Sequence, residues 1–115
     1  MQLAEARRLA LALPEANEEP HFNFASFRVR GKIFATAPPD GEHLHVFVAD
    51  DDRDRALALA PEWVEKLHWG EKVVGLRIAL AQAQPSLVKR LLAQAWARKA
   101  PKALRAAAQP NQARS

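Results

Sequence analysis

From Ser26 to Thr36 the chain alternates apolar and basic side chains, breaks once at Gly31, and resumes as an apolar run. Alternation at period two marks a strand with one buried face. Gly31 opens a two-residue turn with Lys32 or closes one with Arg30, because glycine accepts a positive φ at little cost. Both registers place Phe27, Val29 and Phe34 on one face. Arg28 and Arg30 point the other way, beside Lys32 at the tip. The pattern predicts a hairpin with an apolar back and a cationic front.

Upstream, Leu3, Ala6, Leu9, Ala10 and Leu13 recur at helical spacing, which predicts a helix over 2–13 stopped by Pro14. Residues 15–25 carry Glu15, Glu18, Glu19 and Pro20 and read as a polar connection. After the hairpin, Pro38-Pro39-Asp40-Gly41 has the residues of a tight turn. His43–Ala49 reads as a third strand, with Leu44, Val46 and Val48 on one face and His45 and Phe47 on the other. Three strands with short connections predict an antiparallel meander. Asp50-Asp51-Asp52 is expected to cap a second helix over about 51–60, which Pro61 ends. Trp63–Trp69 fits a helical turn, a loop or a short strand. Val73–Leu80 reads as a strand. Pro85–Lys99 reads as a helix whose buried stripe is Val88, Leu91, Leu92, Ala95 and Trp96. The expected organisation is one domain over 1–106 with a frayed or disordered tail over 107–115. It is an α+β chain, with an antiparallel sheet packed against N-terminal and C-terminal helices.

The 115 residues suffice for a single core without staples. The absence of cysteine excludes disulfides, thiolate catalysis and thiolate metal sites. No apolar run approaches the ~18 residues that span a bilayer, and Glu5, Arg7 and Arg8 interrupt any leader-like stretch at the N-terminus. A cytoplasmic monomer is the default expectation. Charge is unevenly spread: residues 1–60 hold seven Lys/Arg against ten Asp/Glu, and residues 61–115 hold ten against three. No acid follows Glu71. That asymmetry points to a polyanion.

Two basic groups are candidates for phosphate contact: Arg28, Arg30 and Lys32 on the hairpin, and Lys89, Arg90, Arg98, Lys99, Lys102 and Arg105 along the last helix and beyond it. Six neutralised phosphates would give a slope of log K against log salt near about −5. The competing reading is a solvated sheet face and a solvated helix face. No aromatic is interleaved with the C-terminal cations to stack unpaired bases, and Trp96 belongs to the apolar stripe. His43 and His45 share a strand face, but no carboxylate stands at metal-ligand spacing, so no metal or cofactor is implied. The run Asp50, Asp51, Asp52, Asp54 lacks the glycine and distal glutamate of a calcium loop. No nucleophile is paired with a base at recognisable spacing, which leaves His21 with Glu18 or Glu19 as the only enzymatic arrangement to weigh.

The order of several pieces is similar to a known family. These are Leu13-Pro14, Glu19-Pro20-His21-Phe22, Phe27-Arg28-Val29-Arg30-Gly31-Lys32-Ile33-Phe34-Ala35, and Ala95-Trp96-Ala97-Arg98-Lys99-Ala100-Pro101-Lys102. Together they resemble the MmcQ/YjbR family of small bacterial proteins, over about Leu3 to Leu104. The chain departs from the family pattern around 62–72, where members often carry a more aromatic, proline-rich segment. The resemblance implies a CyaY-like α+β fold of double-wing type, and DNA binding without catalysis. The expectation is therefore a non-enzymatic, weakly selective DNA-binding protein using both basic groups. The alternative is a protein- or small-ligand-binding module that uses the sheet face or a cleft near Trp63 and Trp69.

Overall fold

The computed structural model describes residues 1–108. Its elements run α1 (Leu3–Leu11), β1 (Ala16–His21), β2 (Phe24–Val29), β3 (Lys32–Ala37), β4 (His43–Val46), α2 (Asp50–Leu59), β5 (Val64–Trp69), β6 (Lys72–Ala79), α3 (Pro85–Lys99) and α4 (Lys102–Ala108). The fold is α+β. Six strands form one sheet in the order β1-β2-β3-β4-β6-β5, and every neighbouring pair is antiparallel. β2, β3 and β4 are the expected three-strand meander, to which β1 adds a fourth strand. α2 then carries the chain across to the far edge, and β6 returns between β5 and β4.

The core lies between the sheet and the helices. Phe27, Val29, Phe34, Leu44, Val46, Leu76 and Ile78 are buried from the sheet, and Val88, Leu91, Leu92, Ala95 and Trp96 from α3. The stripe of α3 is the one that helical spacing predicts. α3 packs over β2, β3 and β4, with α1 and α2 beside it. The Trp96 Nε1–H donates to the Pro14 carbonyl at 2.9 Å, which ties α3 to the end of the first helical segment.

Two expectations are corrected, and one segment with open alternatives is resolved. The connection over 15–25 contains strand β1, paired along its length with β2 from Ala16↔Val29 to His21↔Phe24. An edge strand wetted on both faces shows no apolar alternation, and Pro20 is tolerated there because an edge N–H can be spared. The first turn of α2 is not capped by an aspartate: the cap position is Ala49, with no side-chain bond. Asp50, Asp51 and Asp52 occupy the first turn itself, where their charge suits the helix dipole. The ambiguous Trp63–Trp69 segment is mostly strand β5. At the C-terminus, residues 107 and 108 belong to α4, and the rest of the expected tail, 109–115, lies outside the described residues.

The basic hairpin closes in the second of its two possible registers. Arg30 and Gly31 form the turn with φ of 51° and 81°. Two consecutive positive φ values define the turn whose twist matches the flanking strands.

Candidate nucleic-acid interface

Strand directions fix which side chains meet. β2 runs toward the Arg30-Gly31 turn and β5 runs toward Gly70, and the alternation of antiparallel neighbours puts both turns at the same end of the sheet. The register shows that they project to within about one residue of each other, ~3.3 Å. Ala35 on β3 is level with Val46 on β4, Leu76 on β6 and Lys66 on β5. Lys32 lies three residues below that level, Trp69 three and Lys72 four. With strands about 4.8 Å apart, Lys32 and Lys72 stand roughly 10 Å from each other across the sheet, and Trp69 one strand further.

β4 leaves the sheet between these two hairpins. Phe47, its first residue beyond the sheet pairing, donates its N–H to the Phe34 carbonyl at 3.1 Å. Its own carbonyl accepts a 3.2 Å hydrogen bond from Arg98 Nη1. Arg98 is thereby fastened where β4 leaves the sheet, short of the hairpin ends, with Lys99 following it. Among the described residues, none of Lys32, Lys72, Arg98 or Lys99 has a carboxylate within ion-pair distance.

The remaining predicted cations divide. Arg30 is at the same end, but its Nε and Nη2 bind both Glu15 carboxylate oxygens at 2.5 and 3.0 Å. That bond holds the Glu15 carboxyl below its ordinary pKa. Arg28 is half-buried and folds back along its own strand: its Nε donates to Ser26 Oγ at 2.9 Å, and Ser26 in turn donates to the Glu19 carbonyl at 2.7 Å. Lys89 and Arg90 are exposed near the other end of α3; nine residues at ~1.5 Å rise put Lys89 about 13 Å along the axis from Arg98. Lys102 and Arg105 are exposed on α4, which leans on the core through Leu104. Carboxylates flank the same end. Asp50 pairs with Arg53 and Asp52 with Arg55, while Glu71 sits in the β5–β6 turn.

Two members of this constellation, Lys72 and Trp69, were not among the residues that the sequence assigns to phosphate contact. The signal lay in the register of β5 against β6, which no local pattern reveals. Trp69 is 81% exposed and Trp63 only 8%. The two tryptophans expected to flank one cleft are therefore separated, one at a hairpin end and one in the core.

The sheet face away from the helices carries a polar row. Cross-strand pairing aligns Glu19, Ser26, Thr36, His45, Arg77 and Glu65 across all six strands. Ser26, Thr36 and His45 are buried. Thr36 Oγ1 lies 3.5 Å from His45 Nδ1. Arg77 Nη2 lies 3.4 Å from His43 Nδ1 and 4.0 Å from Asp40, and its Nε lies 3.7 Å from Glu65. His45 Nε2 and Arg77 Nε are buried without a hydrogen-bond partner. Burial lowers the His45 pKa, and the Arg77 and His43 charges lower it further, against a smaller opposing pull from Asp40. Asp40 is itself held below its ordinary range, first by the Glu42 backbone N–H and then by His43.

The arrangement weighed for catalysis does not assemble. His21 is exposed and stacks edge-on against Phe22, at a ring separation of 4.8 Å. Glu18 is bound by Arg7 at 2.8 Å and Glu19 by Asn17 at 2.8 Å. Among the described residues, no three histidines or carboxylates are grouped to hold a metal ion.

An antiparallel sheet with helices on one face and two hairpin ends on the same side defines the chain as a small α+β domain. The family model described as YjbR matches residues 11–98, and the chain belongs to that family. Comparison with curated proteins and with solved structures gave no match. Among the described residues no helix is long and apolar enough to cross a membrane.

Proposed function

We propose that the protein is a non-enzymatic DNA-binding protein of low sequence selectivity, acting as a cytoplasmic monomer, with its two hairpin ends as a pair of wings. The observation that carries this reading is that Lys32 and Lys72 stand at the same end of the sheet, with Arg98 fastened at the exit of β4, the strand between theirs, and Lys99 following it. All four are cations without a carboxylate partner among the described residues. Contacts from such groups reach phosphates, which fix position without reading sequence. Relative to the sequence expectation, the contact set contracts at the hairpin, because Glu15 occupies Arg30 and Ser26 engages Arg28. It gains Lys72.

The test is a salt series with labelled DNA, both duplex and single-stranded, read by fluorescence anisotropy. Four phosphate contacts predict a slope of log K against log salt of about −4 on duplex, shallower on a single strand. Reversing Lys32 and Lys72 to glutamate together abolishes binding, whereas reversing Lys89 and Arg90 leaves most of it. Affinity weaker than millimolar at low salt, or binding insensitive to salt, ends this reading.

The polar row on the open sheet face favours a second reading, a module for a small polar ligand. Its support is the buried His45 Nε2, which has no hydrogen-bond partner, next to Arg77 Nε, whose carboxylate neighbour Glu65 stands 3.7 Å away, beyond a hydrogen bond, since such groups in native proteins normally find a partner. A ligand screen read by the His45 ring resonances tests it; the reading fails if no ligand moves them.

A further inference from the structure

Trp69 is the largest side chain at either hairpin end, and it is 81% exposed. The other two tryptophans are buried, Trp63 against the core and Trp96 within α3. A tryptophan left in water at a turn contributes nothing to the core. Its direct cross-strand partner is Lys72, and Lys32 stands at the same end of the sheet. Resting on the reading above, we infer that Trp69 stacks on an unpaired base, so that the nucleic acid held at this end is single-stranded or locally opened rather than intact duplex.

Three features favour a base as the occupant. An indole offers a broad π-face to any base without regard to its identity, and cations beside it hold the strand's phosphates. In an intact duplex the base faces are covered by their neighbours, and a side chain at a turn meets only groove edges and backbone. The exposed Phe22 makes the contrast. It is 91% exposed at the opposite end of the sheet, but Glu18 and Glu19 precede it on β1 and would repel a polyanion. Aromatic exposure alone therefore does not distinguish Trp69; its cationic company does. An anionic bilayer would also attract those cations. However, Trp69 is the only exposed large apolar side chain on either hairpin end at this side of the sheet, and a single side chain buries little apolar area in a membrane. Glu71 follows the turn glycine, and stacking places a base, not a phosphate, nearest to that carboxylate.

The exposure pattern supplies the experiment, because Trp69 is the one tryptophan that solvent and ligand reach. Oligodeoxythymidylate is titrated into the protein while intrinsic tryptophan fluorescence is followed, with a duplex and phosphatidylglycerol vesicles in parallel. The expected result is quenching by the single strand and little by the duplex. Trp69→Ala should weaken single-strand binding roughly ten-fold or more while leaving duplex binding within about two-fold, and Trp69→Phe should restore most of the loss. Circular dichroism confirms that both variants fold. Single-strand binding without quenching, or an equal effect of Trp69→Ala on both DNA forms, overturns the inference but leaves phosphate binding standing. A blue shift with vesicles and no response to the oligonucleotide overturns it in favour of a membrane surface. Failure of labelled DNA of either form to bind removes both this inference and its parent reading.

Discussion

Arg98 donates from Nη1 to the carbonyl oxygen of Phe47 at 3.2 Å, across 51 positions of sequence. This bond joins the end of α3 to the point where β4 leaves the sheet, and it uses only part of the guanidinium. Arg98 is exposed, and its remaining donors have no hydrogen-bond partner among the described residues. A structural clamp and a phosphate contact can thus reside in one side chain, and the two roles separate on substitution. Arg98→Ala is expected to lower stability by at most about 1 kcal/mol, as for a single exposed hydrogen bond. It should also reduce the salt slope of DNA binding by about one. Arg98→Lys should restore the slope without necessarily restoring the stability, because it keeps the charge and loses the planar fork. Urea denaturation and the salt series together check both parts.

Glu15 withholds Arg30 from solvent anions through a two-pronged contact. Glu15→Gln removes the negative charge and frees the guanidinium. The expected outcome is tighter DNA binding and a salt slope steeper by about one. The same change occurs reversibly with pH. The Glu15 carboxyl is depressed from its ordinary value of 4.5, chiefly by the Arg30 hydrogen bond. The stabilising contact is therefore complete above that ordinary value and is lost as pH falls through the lower folded-state value. Unchanged affinity in Glu15→Gln would show that Arg30 does not reach DNA.

The parts of the fold that local periodicity encodes were legible in the sequence. Phe27, Val29 and Phe34 are buried where alternation placed them, and the α3 stripe is buried at all five positions. β1 was not legible, because an edge strand of Ala-Asn-Glu-Glu-Pro-His has no dry face to generate a pattern. The candidate interface was half legible for a related reason. Lys32 and Arg98 could be named as cations, but the interface built on them needs the crossover that places β6, and with it Lys72, beside β4. It depends also on a side-chain bond to a distant backbone carbonyl. Arg30 shows the converse: its charge is plain in the sequence, while its neutralisation by a residue fifteen positions earlier is visible only once β1 pairs with β2.

His45 is 9% exposed, and its Nε2 has no partner. Its pKa is lowered from the ordinary 6.5, first by burial and then by the Arg77 and His43 charges. The unfolded chain therefore binds a proton more readily than the folded one. Folding stability is complete above the unfolded value and declines as pH falls below it, until the depressed folded-state value is passed. His45→Gln should flatten the dependence of stability on pH between about 7 and 5, the range in which an ordinary histidine titrates. Denaturation midpoints across that range test the expectation. An unchanged slope in the variant would assign the dependence to other groups.

Gly75 sits where β6 passes closest to the departing end of β4. A methyl group built on it would lie 2.2 Å from the Val46 carbonyl oxygen and 3.2 Å from the Phe47 Cα. Both neighbours are backbone, so no side chain can swing aside, and the two strands must separate to admit the methyl. Overpacking of this kind costs roughly 1–3 kcal/mol when side chains yield, and Gly75→Ala is expected at or above the upper end of that range. The displacement falls on Phe47, whose carbonyl anchors Arg98. A variant that remains folded should therefore bind DNA more weakly, although the substitution adds no charge and lies on the sheet rather than at its hairpin ends. Denaturation and anisotropy on the same preparation separate the two effects. A loss of stability with intact affinity would mean that the Phe47–Arg98 bond does not position the contact.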